Sequence, residues 1–155
     1  MQPIRHTEIS RESPNLFSAT EVAATIGADL ETISEWLDVG AIDRAIFGGG
    51  QFSKYELQRA ALTFELVKLG LSPSCARAIV WEMEYDLQQM WGEAISNQYK
   101  AYAIIIPNKE KKWLIFWCWK KTTEKILPPT GYHFILPVSD ILARVADQAK
   151  QPRQH

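Results

Sequence analysis

The start and stop signals of short helices in the first half of the chain constrain its fold more than any other feature. Ser18-Ala-Thr-Glu21 forms a capping box, in which the serine side chain accepts from the backbone three residues on and the glutamate reaches back. Gly27 can adopt, at little cost, the left-handed conformation that ends a helix. The sequence therefore predicts a first helix from about Ala19 to Ile26.

A second short helix follows after a tight turn. Asp29 can cap it and Gly40 can end it, which predicts a helix over about residues 30–39. Its apolar residues stand three and four positions apart, so they share one face that turns toward a core. These residues are Ile33, Trp36 and Leu37. Two short helices with a tight turn between them are the helix-turn-helix pattern.

Glycine-rich sequence after the second helix predicts a β-hairpin. Residues 41–47 and 51–52 suit extended structure, and the three glycines at 48–50 suit the turn between them. A hairpin that follows a helix-turn-helix is the wing of a winged helix. The sequence therefore predicts that the first domain is a winged helix-turn-helix.

Two longer helices come next. The capping box Ser53-Lys-Tyr-Glu56 opens the first, and Gly70 ends it. Pro73 starts the second, since proline at the first helical position sacrifices no hydrogen bond. Its apolar stripe, residues 76–94, predicts one helix of about 20 residues. Because a small domain cannot cover so long a stripe alone, we expect a homodimer formed by this helix, by the region after it, or by both.

The hydrophobic pattern changes to that of β-strands after this helix. Residues 99–107 and 113–121 are apolar, aromatic and partly β-branched, with a charged turn between them. Residues 132–137 are a third candidate strand, and Ser139 is placed to cap a last helix. An antiparallel sheet with a terminal helix is predicted for this region.

The predicted fold class is therefore α+β, in four parts along the chain. A flexible arm is expected at residues 1–14, and the winged helix-turn-helix at 15–84. A connecting helix at 85–98 leads to a small C-terminal antiparallel sheet with a terminal helix at 99–150.

The order of these elements, and the residues at their junctions, resemble the MerR family of transcriptional regulators. The matching residues cover about half of the chain, and their joint order and spacing carry the resemblance. They are Phe17-Ser18, Glu21-Val22-Ala23, Gly27, Thr32-Ile33, Trp36, Gly40, Phe52-Ser53 and Leu69-Gly70-Leu71-Ser72. The resemblance implies a dimer on a palindromic operator, with the second helix in the major groove and the hairpin against the DNA backbone.

Contacts with double-stranded DNA are implied by the resemblance for seven residues. Thr32 and Ser34 flank the inward-facing Ile33 and are expected to face the groove, and Glu35 can accept from a cytosine amino group. The remaining four are expected on the surrounding phosphate backbone: Arg44, Gln51, Lys54 and Arg59. The implied function is that of a DNA-binding transcriptional regulator of bacterial or phage type. Family effector domains also imply a small-molecule pocket between the sheet and the last helix.

Charge leaves a second function open. Residues 17–82 carry five basic and nine acidic residues, although phosphate neutralisation supplies most nonspecific DNA affinity. Ser34 stands where the family commonly has arginine, and Gly50 and Gln51 stand where its wing commonly has arginines. The alternative function is an adaptor or assembly protein that uses the winged-helix scaffold for protein–protein contact.

The C-terminal region has the opposite charge balance, with ten basic and four acidic residues in 100–155. Lysines around tryptophans and tyrosines can form a stacking surface for nucleic acid. Strand tryptophans with apolar residues on both sheet faces more often form a core or an oligomer interface, and turn lysines protect a sheet edge. The second interpretation is favoured.

No pattern in the sequence indicates catalysis or a cofactor. Cys75, Cys118 and three histidines show no zinc spacing, and His133 alternates with aromatic residues as a packed strand residue does. The glycines at 48–50 lack the lysine and helix of a phosphate-binding loop. These observations predict a protein that is not an enzyme. We find neither a signal peptide nor a membrane-spanning run, so a cytoplasmic protein away from membranes is expected.

Overall fold

A computed structural model describes residues 16–44, 50–94, 99–108, 112–121 and 133–149. Within them lie five helices and three strands. In chain order they are α1 (Ala19–Ile26), α2 (Leu30–Asp38), α3 (Lys54–Lys68), α4 (Pro73–Ala94), β1 (Tyr99–Asn108), β2 (Lys112–Lys121), β3 (Phe134–Leu136) and α5 (Val138–Ala149). The protein is a mixed α+β structure, as predicted. The predicted arm at residues 1–14 lies outside the described residues.

Capping signals locate the starts of the first helices. The Glu21 amide donates to Ser18 Oγ at 3.1 Å, and the Ser18 amide donates back to Glu21 Oε1 at 3.2 Å. Gly27 ends α1 in the left-handed conformation with φ of 78°. Asp29 stands at the start of α2, but its side chain makes no capping hydrogen bond. The α2 helix is confirmed to within one residue, and its predicted cap bond is absent.

The predicted hairpin after α2 is only partly within the described residues, since 45–49 lie outside them. Residues 41–44 form bends and coil, not a strand. Phe52 pairs instead with Phe17, in a single antiparallel bridge whose two N–H···O bonds measure 2.7 and 2.8 Å. Both phenylalanines are buried, so the bridge ties the entry of α1 to the entry of α3 across the core.

The next two helices follow the prediction closely. The Ser53 amide donates to Glu56 Oε2 at 3.0 Å at the start of α3, as the capping box requires. Pro73 opens α4, and the Cys75 amide donates to Ser72 Oγ at 3.2 Å. The α4 helix runs without a break past residue 84, where a boundary between two parts was predicted. That domain boundary stays a prediction.

The sheet is antiparallel with strand order β2-β1-β3. Register pairs Ala103 of the central strand with Trp117 on one side and with Leu136 on the other. The odd-numbered positions 101–105 of β1 are fully buried, and α4 and α5 pack against this inner face. On it, Trp113 and Phe134 are in ring contact, with centroids 6.1 Å apart.

Ser139 does not cap the last helix, which corrects a prediction from sequence. The α5 helix begins one residue earlier, at Val138, and Pro137 supplies the first carbonyl, 3.1 Å from the Ile141 amide. Ser139 is buried, and its hydroxyl accepts from the Ala101 amide at 2.9 Å. The serine satisfies a strand N–H beyond the end of β3, and so joins α5 to the sheet.

One hydrophobic core runs through the described residues. It contains buried side chains of all five helices and of β1 and β3, such as Ile33, Leu62, Met83, Ile105 and Leu142. The α4 stripe that predicted a homodimer is buried here over residues 76–83, inside the protein's own core. In its described part, this stripe is therefore occupied without a second chain.

Candidate functional site

The outward face of α2 is the candidate site. Ile33 is fully buried and Trp36 nearly so, with the Trp36 ring 6.0 Å from that of Phe64. Because these two residues stand three apart, they fix the rotation of the short helix. The opposite side is exposed, and it consists of Glu31, Ser34, Glu35 and Asp38.

The three groove-facing residues predicted on α2 are not equally placed. Ser34 and Glu35 are exposed, whereas Thr32 is half-buried. Thr32 adjoins the fully buried Ile33, at the margin between the outward face and the core. Ser34 and Glu35 are thus the accessible members of the predicted set on this helix.

Three of the residues predicted to contact the phosphate backbone are exposed, in the segment between α2 and the first turn of α3. They are Arg44, Gln51 and Lys54. Gly50 has φ of 86°, and a Cβ built on it would lie 3.7 Å from Arg44 Nη1. The Arg44 guanidinium therefore lies beside Gly50, in the segment that leads into α3.

Arg59, the fourth, is engaged within the fold. It forms an ion pair with Glu84, and its guanidinium carbon lies 5.7 Å from the centre of the Trp81 ring. Arg77 flanks the same ring at 5.6 Å and pairs with Asp43 at 3.1 Å. The indole thus has two guanidinium groups within cation–π distance, and each of them is paired with a carboxylate.

This cluster around Trp81 was missed by the sequence analysis, although a signal was present. Arg77, Trp81 and Glu84 stand four and three residues apart, which places them on one face of α4. Their partners Asp43 and Arg59 lie far away in sequence, and only the tertiary fold brings them there. The cluster borders a shallow hollow between α3, α4 and the turn after α2.

Arg77 also explains the glycine that ends the second helix. Gly40 has φ of 70°, and a Cβ there would lie only 3.0 Å from Arg77 Nη1. A side chain at this position would be strained by its backbone and crowded by the guanidinium. Gly40 thus lets α4 approach the end of α2, while the Asp43 pair fixes the turn that follows.

Electrostatically, the outward face of α2 is acidic. Glu31, Glu35 and Asp38 are exposed on it, and α1 and α2 contain no lysine or arginine. Within this part of the chain, Arg59, Lys68 and Arg77 form ion pairs. Arg44 and Lys54 are the exposed basic residues between the end of α2 and the first turn of α3.

The described residues contain no group of three or more histidine, cysteine or acidic side chains arranged to hold a metal ion. Among the described helices, none has the length and apolar character needed to cross a membrane. Cys75 and Cys118 are both free thiols. No protein-family model and no curated protein matches the chain.

Proposed function

We propose that the protein is a DNA-binding transcriptional regulator of bacterial or phage type that acts as a homodimer. In this proposal α1 and α2 form the helix-turn-helix of a winged helix, and the outward face of α2 enters the major groove. Ser34 and Glu35 read base edges from that face, and Thr32 contacts them from its margin. Arg44, Gln51 and Lys54 bind the phosphates on either side of the groove.

One observation carries the proposal. The buried Ile33 and Trp36 anchor α2 from one side, and three residues connect it to α1, so its opposite side is left accessible along the whole helix. A helix of nine residues is about 14 Å long, and the major groove is about 12 Å wide. An α2 anchored in this way can therefore present its outward face to base pairs without a change in the core.

Arg59 and Arg77 can still contribute to phosphate binding. Their side chains are partly exposed, and a surface ion pair is worth only about 0–1 kcal/mol. A guanidinium can exchange a carboxylate for a phosphate at little cost, because both groups present two anionic oxygens that can accept its paired N–H donors. With few basic residues present, the affinity should depend only weakly on salt concentration.

Selection from a random double-stranded library with the full chain tests the proposal. We expect an enriched palindromic sequence, whose affinity is then measured by fluorescence anisotropy over a salt series. Arg44→Ala and Lys54→Ala should each weaken binding to every sequence and reduce the salt slope by about 1 per protomer. Ser34→Ala should instead alter the preferred sequence.

Lys68→Ala is the matched control. Lys68 is the last residue of α3, 14 residues after Lys54 and hence about 21 Å away along the helix, and it pairs with Glu65. Its removal should leave DNA affinity and salt slope unchanged. If no sequence is enriched, or if Lys68→Ala weakens binding as much as Lys54→Ala, the proposed function is wrong.

A second candidate function is favoured by the acidic character of α2. Glu31, Glu35 and Asp38 would repel phosphates, and they suit a basic protein surface. Under this alternative the protein is an adaptor or assembly factor, and α2 is its contact helix. The two functions predict different effects of neutralising these carboxylates: DNA affinity rises if α2 enters the groove and stays unchanged if α2 contacts a protein.

A further inference from the structure

The outer face of the sheet is apolar, and its described side chains are only partly buried. It is formed by the even-numbered positions 102–106 of β1 and 114–118 of β2, with Ile135 of β3, and we call this set the outer sheet face. Register places Ile104 between Phe116 and Ile135 at its centre. Phe116 is 51% exposed, and the other members are partly exposed.

Both faces of this small sheet are therefore apolar. An antiparallel sheet that packs on one side and meets water on the other alternates apolar and polar residues along each strand. Here the inner positions 101, 103 and 105 are buried, and the outer positions are tyrosine and isoleucine. Such a pattern is typical of a sheet that is covered on both sides.

We propose that a second copy of this chain covers the outer sheet face, so that two sheets pack face to face across a two-fold axis. Aligned sheets pack about 10 Å apart through interdigitating side chains. The inference deepens the homodimer of the proposed function, but it does not depend on DNA binding. It assigns the dimer contact to the sheet, since the described part of the α4 stripe is already buried within one chain.

The charge of the molecule favours this partner. A formal net charge of −1 gives two copies little reason to repel each other. No charged residue lies among the described side chains of the outer sheet face, and Lys100 at its border is paired with Asp140 at 3.3 Å. Two identical apolar faces can therefore meet without burying an unpaired charge.

The size of the face sets the expected strength. With a strand spacing of ~4.8 Å and a rise of ~3.4 Å per residue, two strands of five residues and one of three present a flat area of roughly 200 Å². A standard interface buries about 800 Å² per partner, so the flat area of this face supplies about a quarter of that amount. A dimer with a dissociation constant in the micromolar range is expected, which dilution can resolve into monomers.

Sedimentation equilibrium over a dilution series, without DNA, tests this inference. Phe116→Lys should raise the dimer dissociation constant at least about tenfold, because it buries a charge in the contact. Leu69→Lys is the control, since Leu69 is similarly exposed at 43% but caps the end of α3 and belongs to none of the three strands. It should leave the dissociation constant unchanged, and both variants should keep the parent's circular dichroism spectrum.

Cys118 provides a second measurement on the same face. In a Cys75→Ser background it is the single thiol, because the chain has two cysteines. Its rate of alkylation should fall as protein concentration rises through the dissociation constant. A monomer at about 100 µM overturns the inference, and so does a dimer that Phe116→Lys leaves intact or an alkylation rate that does not vary with concentration.

Because the dimer is measured without nucleic acid, the two proposals fail separately. If no DNA sequence is selected but the dimer forms and depends on Phe116, the proposed regulator function is wrong and the proposed sheet contact is supported. If the chain binds DNA but is monomeric in solution, the proposed sheet contact is wrong and DNA binding is supported.

Discussion

The outward face of α2 and the outer sheet face are both solvent-facing surfaces, but they differ in what they expose. Three carboxylates and a serine stand on the first, whereas isoleucine, tyrosine and phenylalanine stand on the second. The polar face is stable in water and can bind a partner reversibly. Covering the apolar face lowers the free energy of the system by roughly 25 cal/mol per Å² of apolar surface buried.

This difference separates two roles. A surface that is stable when bare suits a contact that forms and breaks, such as a contact with an operator. A surface that is costly when bare suits a contact that forms without any further ligand, such as a contact between protomers. Each surface is presented to solvent only if its element is fixed from the other side. The anchors of α2 and of the sheet are therefore the places to test.

The largest expected effect on stability comes from removing the side chain that anchors α2. Trp36→Ala should lower the free energy of unfolding by about 3–5 kcal/mol, because Trp36 is only 5% exposed and contacts Phe64. Urea denaturation followed by circular dichroism measures it. Trp81→Ala is the matched control: Trp81 is 50% exposed, so its truncation should cost far less. Equal costs would mean that α2 is not held as described.

A smaller effect is expected at the anchor of the sheet. Ser139→Ala should lower the free energy of unfolding by about 1–3 kcal/mol, because it leaves the buried Ala101 amide without the acceptor it now has at 2.9 Å. Ser34→Ala, at an exposed position, should change it by less than about 0.5 kcal/mol. If Ser139→Ala unfolds at the parent's urea midpoint, the hydroxyl does not hold α5 to β1.

Ser139 also shows how far the sequence leads. The capping boxes at Ser18 and Ser53 were predictable because both partners of each box lie within three residues. Ser139 carries the same local signal, yet its partner is 38 residues away, on a strand. A serine near a helix start can bond its own first turn or a distant amide, and only the packing of α5 on β1 decides between them.

The candidate site also combines features set by local sequence with features set by contacts between distant segments. The exposure of Ser34 and Glu35 follows from the spacing of Ile33 and Trp36, which the sequence shows directly. Arg59 was predicted to face DNA, and its pairing with Glu84 depends on how α3 crosses α4. Ion pairs between distant segments leave no periodic trace in a sequence, so the charge that remains available could not be predicted.

A still smaller effect concerns the connection between the regions that carry the two surfaces. Glu65 of α3 binds Arg144 of α5 at 2.8 Å and Lys68 at 2.9 Å. Burial alone would raise the pKa of Glu65, but the hydrogen bonds and charges of Lys68 and Arg144 outweigh it and hold the pKa below its ordinary value of 4.5. A lowered carboxyl pKa stabilises the folded state above 4.5, and this contribution is lost as pH falls through the lowered pKa.

Glu65→Gln should therefore lower the free energy of unfolding at neutral pH by less than about 1 kcal/mol, since both cationic partners are partly exposed. The difference between parent and variant should vanish well below pH 4.5. Urea denaturation of both proteins over a pH series measures it. A difference that persists in acid would assign the effect to packing rather than to charge.

The smallest effect on stability, and the sharpest on function, is expected on the outward face of α2. Glu31→Gln and Asp38→Gln should change the free energy of unfolding by less than about 0.5 kcal/mol, because both side chains are exposed. If α2 enters the major groove, removing two negative charges should strengthen binding to all DNA sequences several-fold and make it more sensitive to salt. Glu82→Gln, an exposed carboxylate on α4, is the control and should change neither quantity. DNA affinity that the double variant leaves unchanged would mean that α2 faces away from the phosphates, and would favour protein contact through its acidic face.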